Sequence, residues 1–84
     1  MAWKYESVSY ASTDHEFAKT VTATSGKKIK AGGFVITGVN TNTAITVRAN
    51  YPVLVDGEGE GWTVEGYVPS PPSSWGVLVY VYEE

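Results

Sequence analysis

Cysteine is missing from the 84 residues, and there is a single histidine. The first fact rules out a disulfide. The two together leave no ligand set for a structural zinc site. A chain this short buries only about 60–65% of its unfolded surface, so its core is thin. Small scaffolds usually add a disulfide, a metal or a partner subunit. With the first two removed, association with further subunits, such as a homo-oligomer, is the remaining support. No cofactor and no metal is expected.

Basic residues are also scarce. Six Lys and Arg stand against nine Asp and Glu, for a net charge of −3. Affinity for nucleic acid rests on neutralising phosphates with Lys and Arg, so a nucleic-acid partner is not expected. No apolar run has the length needed to cross a bilayer, which argues against a membrane partner. The opening stretch MAWKYESVSY lacks the basic start and apolar stretch of a signal peptide, so if Met1 is the native start a cytoplasmic origin is expected.

No stretch sustains an apolar period of 3.6 residues, so no helix is expected. Alternation at period two fills the chain instead. Trp3 to Tyr10 reads as a first strand, and Ser12-Thr13-Asp14-His15 as a turn. Phe17, Lys19, Val21 and Ala23 share one face of a second strand. Thr20, Thr22 and Thr24 share the other, suited to a wet pleated surface. Phe34-Val35-Ile36 is a more apolar strand, and Asn40-Thr41-Asn42-Thr43 is turn chemistry. Ile45, Val47, Ala49 and Tyr51 alternate with polar residues, until Pro52 confines any continuation to an edge or a bend. Asp56 to Gly61 reads as a flexible acidic loop, Trp62 to Tyr67 as a strand, Val68 to Ser74 as a proline-rich loop, and Trp75 to Tyr82 as the last strand. The expectation is one all-β domain over residues 1–84, a small antiparallel sandwich or barrel of about seven short strands.

Candidate chemistry is sparse. Gly26-Lys27-Lys28 resembles part of a phosphate-binding loop, but the required glycine position holds Val21 and no helix follows. Lys27, Lys28 and Lys30 read as a solvated turn that keeps an edge in water, with a loose anionic contact as the other option. Gly32 and Gly33 read as sites of positive φ or close approach. Asp56, Glu58 and Glu60 suggest calcium, but the twelfth position of an EF-hand loop would be Tyr67. That leaves a solvated hairpin loop, or a site completed from elsewhere. His15, between Asp14 and Glu16, has no nucleophile elbow to serve. No catalytic residue is assigned, and an enzyme is not expected. Trp62 and Trp75 each lead an alternating strand and read as core.

The last strand is apolar or aromatic on both faces. Trp75, Val77, Val79 and Val81 form one side, and Leu78, Tyr80 and Tyr82 the other. Either the strand is covered on both sides, or its second face meets another chain, where aromatic residues are enriched.

The order of Gly26-Lys27, Ala31-Gly32-Gly33-Phe34, Tyr51-Pro52, Gly61-Trp62-Thr63-Val64 and a Trp75-led strand through Val79-Tyr80-Val81 resembles a small β domain of bacterial secreted proteins and of phage tail and fibre proteins. The likeness runs over roughly residues 17–82. That pattern has Cys-Pro where Thr24-Ser25 stands here, and a final cysteine where Tyr82 or Glu83 stands. The bridge those cysteines imply is therefore lacking. A bridge contributes little inside a reducing cytosol, so the loss favours the virion branch. The resemblance brings no catalytic residues.

It implies a non-enzymatic bacteriophage virion protein, a capsid decoration, tail-fibre or tail-tip module assembled in the host cytoplasm. Its partners would be other virion proteins or further copies of itself. Leu78, Tyr80 and Tyr82 are the candidate interface, with Trp3 and Tyr5 beside them. The alternative is a carbohydrate-binding adhesion module that takes a host surface glycan through Trp3, Tyr5, Tyr10 and Tyr67.

Overall fold

The period-two segments form strands, and the computed structural model, which describes residues 2–84, contains six of them. They are β1 (Ala2–Ala11), β2 (Glu16–Thr22), β3 (Ile29–Thr37), β4 (Thr46–Val55), β5 (Glu58–Tyr67) and β6 (Ser74–Glu83). Every pairing is antiparallel. One sheet has the order β1-β6-β3 and the other β2-β5-β4. The architecture is a small β-sandwich. Only β4 and β5 are joined as a hairpin within a sheet. All other connections pass from one sheet to the other.

About seven short strands were expected and six are present, several of them longer than the alternation indicated. Asp56-Gly57 is a two-residue turn with positive φ at both positions, 53° and 79°. That geometry suits the twist of a hairpin and is what an Asp-Gly pair favours. The expected acidic loop is therefore mostly strand, and β5 begins at Glu58. Pro52 does not end β4, which runs on to Val55 as an edge strand. An edge tolerates proline because the missing N–H would face away from the sheet.

The start of β3 lies at Ile29, well before Phe34, and includes the double glycine. Neither Gly32 nor Gly33 has positive φ, unlike Gly26, Gly38 and Gly57. Their reason is close approach alone. A Cβ at Gly32 would stand 2.5 Å from Cδ2 of Trp62, and one at Gly33 would stand 2.5 Å from the Tyr80 hydroxyl. The two glycines clear space on opposite faces, Gly32 for the core and Gly33 for the outside.

The core is built from Phe17 and Val21 of β2, Ile29 of β3, Val64 of β5, Val68, and Trp75, Val77, Val79 and Val81 of β6. Phe17 meets Trp75 edge to face at 6.1 Å, and Trp62 packs partly buried against the cluster. The accessible surface is 4978 Å². A folded monomer of this mass exposes about 4,900 Å² by the usual scaling, so the core closes without a partner. The molecule is elongated, 39 × 21 × 19 Å.

Polar contacts close the flank between β1 and β2. The Tyr10 hydroxyl bridges the N–H and C=O of Ala18, at 3.3 and 3.4 Å. Glu6 pairs with Lys19 at 3.0 Å. Lys4 donates to the Thr22 carbonyl at 2.7 Å. These rungs account for Lys19 on the otherwise apolar face of β2.

The chain end is tied by a buried charge. Glu83, 4% exposed, accepts hydrogen bonds from the Thr24 hydroxyl at 2.6 Å and from the Thr24 amide at 2.9 Å, with Lys4 at 3.5 Å. Glu84 and Lys28 exchange both backbone bonds. Thr24, in the turn before β3, is thereby tied to the end of β6.

Candidate functional site

Antiparallel pairing places directly opposed residues on one face. On β1 and β6, Trp3 opposes Tyr82, Tyr5 opposes Tyr80, and Ser7 opposes Leu78. On β3, Ala31, Gly33 and Val35 oppose the same three residues of β6. The core side of β6 carries the buried valines, so these residues form the outer face of the β1-β6-β3 sheet. All five candidate interface residues, Leu78, Tyr80, Tyr82, Trp3 and Tyr5, thus come together on one surface.

Among the described residues, no layer covers that surface. Trp3 is 61% exposed, Tyr5 68% and Tyr80 37%. Leu78 and Tyr82 are half-buried by their neighbours in the sheet. The rings support each other. Trp3 lies edge-on to Tyr82 at 5.2 Å and tilted to Tyr80 at 5.9 Å. Such pairs prefer offset or edge contacts and hold one another in place. Gly33 supplies the floor beneath Tyr80, and the exposed Val35 extends the apolar area across β3. β6 is thus central in its sheet, but the expectation that it is covered on both sides does not hold, because its outer side is open.

Tyr10 and Tyr67 lie elsewhere. Tyr10 packs on Trp75, with ring centroids 4.7 Å apart, and belongs to the flank that closes the sandwich. Tyr67 opposes Glu16 and Thr46 on the outer face of the other sheet. It is held between His15, stacked at 6.1 Å, and the Arg48 guanidinium, 5.8 Å from its centroid. A shallow cleft of about 320 Å³ nearby is lined by Tyr10, Glu16, Ala18, Arg48 and Glu65, among others. The four residues considered for glycan binding do not converge. Trp3 and Tyr5 share one face, while Tyr10 and Tyr67 lie apart from it.

The remaining polar candidates have structural employment. His15 Nδ1 lies 3.2 Å and 3.1 Å from the carbonyls of Val68 and Pro69. A ring nitrogen facing two carbonyls carries the proton, so His15 pins the loop after β5. Lys28 forms an ion pair with Glu60, which holds its ammonium above the ordinary lysine range. Lys27 donates its backbone N–H to Thr24 across the Ser25-Gly26 turn.

Two features were not indicated by alternation. Val35 joins the aromatic face only through the register of β3 against β6. Val53, Leu54 and Val55, with Leu54 60% exposed, form an apolar tip on the β4–β5 hairpin. Asp56-Gly57 between apolar and alternating stretches was the available cue for that hairpin.

Comparison of the chain with protein-family models, with curated proteins and with solved structures yields no match in any of the three.

Proposed function

We propose that this chain is a non-enzymatic structural protein of a phage particle, a decoration, fibre or tail-tip module that docks to neighbouring virion proteins through the outer face of the β1-β6-β3 sheet. The observation that carries the reading is the uncovered group of Trp3, Tyr5, Leu78, Tyr80 and Tyr82 on a sheet whose other side is a closed core. Aromatic side chains concentrated in one patch are the composition of docking surfaces. The order of glycine turns and Trp-led strands, similar to that of phage tail and fibre domains, supplies the virion context.

Tyr80→Asp tests the docking face. The phenol lies on the sheet surface, so the variant keeps its circular dichroism while it loses assembly. Normal assembly of the variant would remove the face from the proposal. Immunogold electron microscopy of particles released by the host that carries the sequence tests the virion assignment. Label on the particles supports it, and unlabelled particles reject it.

The glycan reading retains one favourable observation, the exposed rings of Trp3 and Tyr5 on a single face. A glycan array with the isolated chain separates the two readings. Binding that is lost in Trp3→Ala, with no protein partner required, would favour adhesion.

A further inference from the structure

A two-sheet sandwich has four edge strands, here β1, β3, β2 and β4. Unpaired edge groups invite another strand, and natural edges are usually blunted. Three of these edges are. On β2, the Tyr10 hydroxyl occupies both backbone groups of Ala18, and Lys4 occupies the Thr22 carbonyl. β4 contains Pro52 and has two register shifts against its neighbour. β3 has a register shift between Ile29 and Ala31, followed by the glycine pair.

β1 differs. It runs ten residues from Ala2 to Ala11 in unbroken register with β6, without proline or glycine. Among the described residues, no hydrogen bond outside its pairing with β6 reaches its backbone between Ala2 and Tyr10. The first such contacts are at Ala11.

The inward side of this edge is charged, with Lys4 opposite Val81 and Glu6 opposite Val79. Inward charges normally deter a foreign strand, and although Lys4 lies 3.5 Å from Glu83 and Glu6 3.0 Å from Lys19 within the chain, a second strand that sets a like charge opposite either of them is still repelled. A second copy of the same strand offers one exception. With Tyr5 opposite the Tyr5 of the other copy, Lys4 falls opposite Glu6 and Glu6 opposite Lys4, both across the two-fold axis. A shift of two residues one way sets Lys4 against Lys4, and the other way sets Glu6 against Glu6. A shift of one residue turns the aromatic side of one copy toward the core side of the other. Only one register sets each charge opposite one of the other sign and keeps the faces aligned.

We infer that the chain forms a two-fold dimer by antiparallel pairing of β1 with β1 of a second copy, centred on Tyr5. The result is a continuous six-stranded sheet, in which the two aromatic faces become one surface. Such an interface is isologous, as two-fold symmetry requires. The inference goes beyond the virion reading and uses a different surface, the edge rather than the face. Tyr80→Asp leaves the edge dimer in place.

The test is light scattering of the full chain over a concentration series, with cysteine cross-linking to read the register. Because the chain has no cysteine of its own, a single introduced thiol reports one position. Directly opposed Cβ atoms stand about 4.5–5.5 Å apart, near disulfide reach. Tyr5→Cys therefore forms a covalent dimer quickly under mild oxidation. Ser7→Cys, whose opposite residue is Trp3, forms one only at the collisional rate. Mixed Trp3→Cys and Ser7→Cys chains cross-link to each other. Glu6→Lys, checked for native circular dichroism, loses the dimer. A monomer throughout the series overturns the inference. So does a dimer in which Tyr5→Cys cross-links no faster than Ser7→Cys, because it would use another surface.

Discussion

The two sheets share one core and face the outside with different chemistry. Outside β1-β6-β3 lie Trp3, Tyr5, Leu78, Tyr80, Tyr82 and Val35. Outside β2-β5-β4 lie Thr20 and Thr63, joined by a 2.8 Å hydroxyl bond, with Glu16, Ala18, Glu65 and Tyr67, and on the β4 edge the exposed Tyr51 and Val53, opposite Thr63 and Gly61. Threonine satisfies a pleated surface in water, and its hydroxyls need no cover. A sheet of aromatic rings buries nothing on its outer side unless something docks there. The same scaffold thus carries one face that is polar along β2 and β5, with apolar exposure confined to the β4 edge and hairpin tip, and one face whose centre is aromatic. That asymmetry is the feature of the fold on which the proposed docking rests.

The comparison breaks most completely if the shared core fails. Phe17 contacts Trp75 and Phe34 and lies over Gly66, so it joins both sheets. Phe17→Ala should cost about 3–5 kcal/mol. Domains of this class hold only about 0.05–0.15 kcal/mol per residue. Urea titration is expected to show a chain largely unfolded or with a much reduced midpoint, and both faces lost together.

The glycine pair sharpens the contrast, because each glycine serves one side. Gly32→Ala pushes into the Trp62 indole, whose Nε1 is fixed by Asn50 at 2.9 Å. The expected loss is about 1–3 kcal/mol of stability, as for overpacking in general. Gly33→Ala meets the far end of Tyr80, which can swing into solvent. Its midpoint should fall less than that of Gly32→Ala, while docking through the aromatic face weakens. Equal losses of stability would mean that Tyr80 is as firmly seated as the core indole.

The charged ties give smaller, pH-dependent effects. The Thr24 hydroxyl and amide, assisted by Lys4, hold the Glu83 carboxyl below the ordinary glutamate value. A carboxyl whose folded pKa is depressed contributes fully above its unfolded value, about 4.3. That contribution fades as pH falls through the folded value. Melting temperature should therefore decline on the acid side of that window, and Glu83→Gln should flatten the decline. Lys28 has the opposite sign. Its raised pKa, chiefly from Glu60, stabilises below the ordinary lysine value of about 10.4 and is lost as pH rises through the raised one. Lys28→Met should remove that alkaline limb.

The smallest effect belongs to the polar face along β2 and β5. Thr63→Ser keeps the hydroxyl pair with Thr20 and should shift stability by no more than about 0.5 kcal/mol. It should leave docking unchanged, whereas Tyr80→Asp leaves stability nearly unchanged and removes docking. Loss of docking in Thr63→Ser would show that the outer face of β2-β5-β4 takes part.

Much of this was readable from the order of residues. Alternation placed Trp75, Val77, Val79 and Val81 on one side of a strand and Leu78, Tyr80 and Tyr82 on the other, because β side chains must alternate. Turn chemistry located Ser12 to His15, Ser25-Gly26 and Asn40 to Thr43, because each stretch satisfies its own backbone locally. Local pattern is blind to partners. It did not say that Gly32 yields to Trp62 and Gly33 to Tyr80, since both rings arrive from distant positions. It read the glycine-spaced acids after Asp56 as a loop, although pairing with β4 extends them into strand.

Thus the sequence by itself determined an all-β chain, its main turns, the two-faced last strand and the lack of covalent staples, since these depend on period, local hydrogen bonding and residue type. Tertiary structure alone decided which strands neighbour which, and hence that Trp3 and Tyr5 join Tyr80 and Tyr82 while Tyr10 and Tyr67 do not. It also decided that β1 keeps the open edge. Face and edge are properties of pairing between residues far apart in the chain, and no local period encodes the partner.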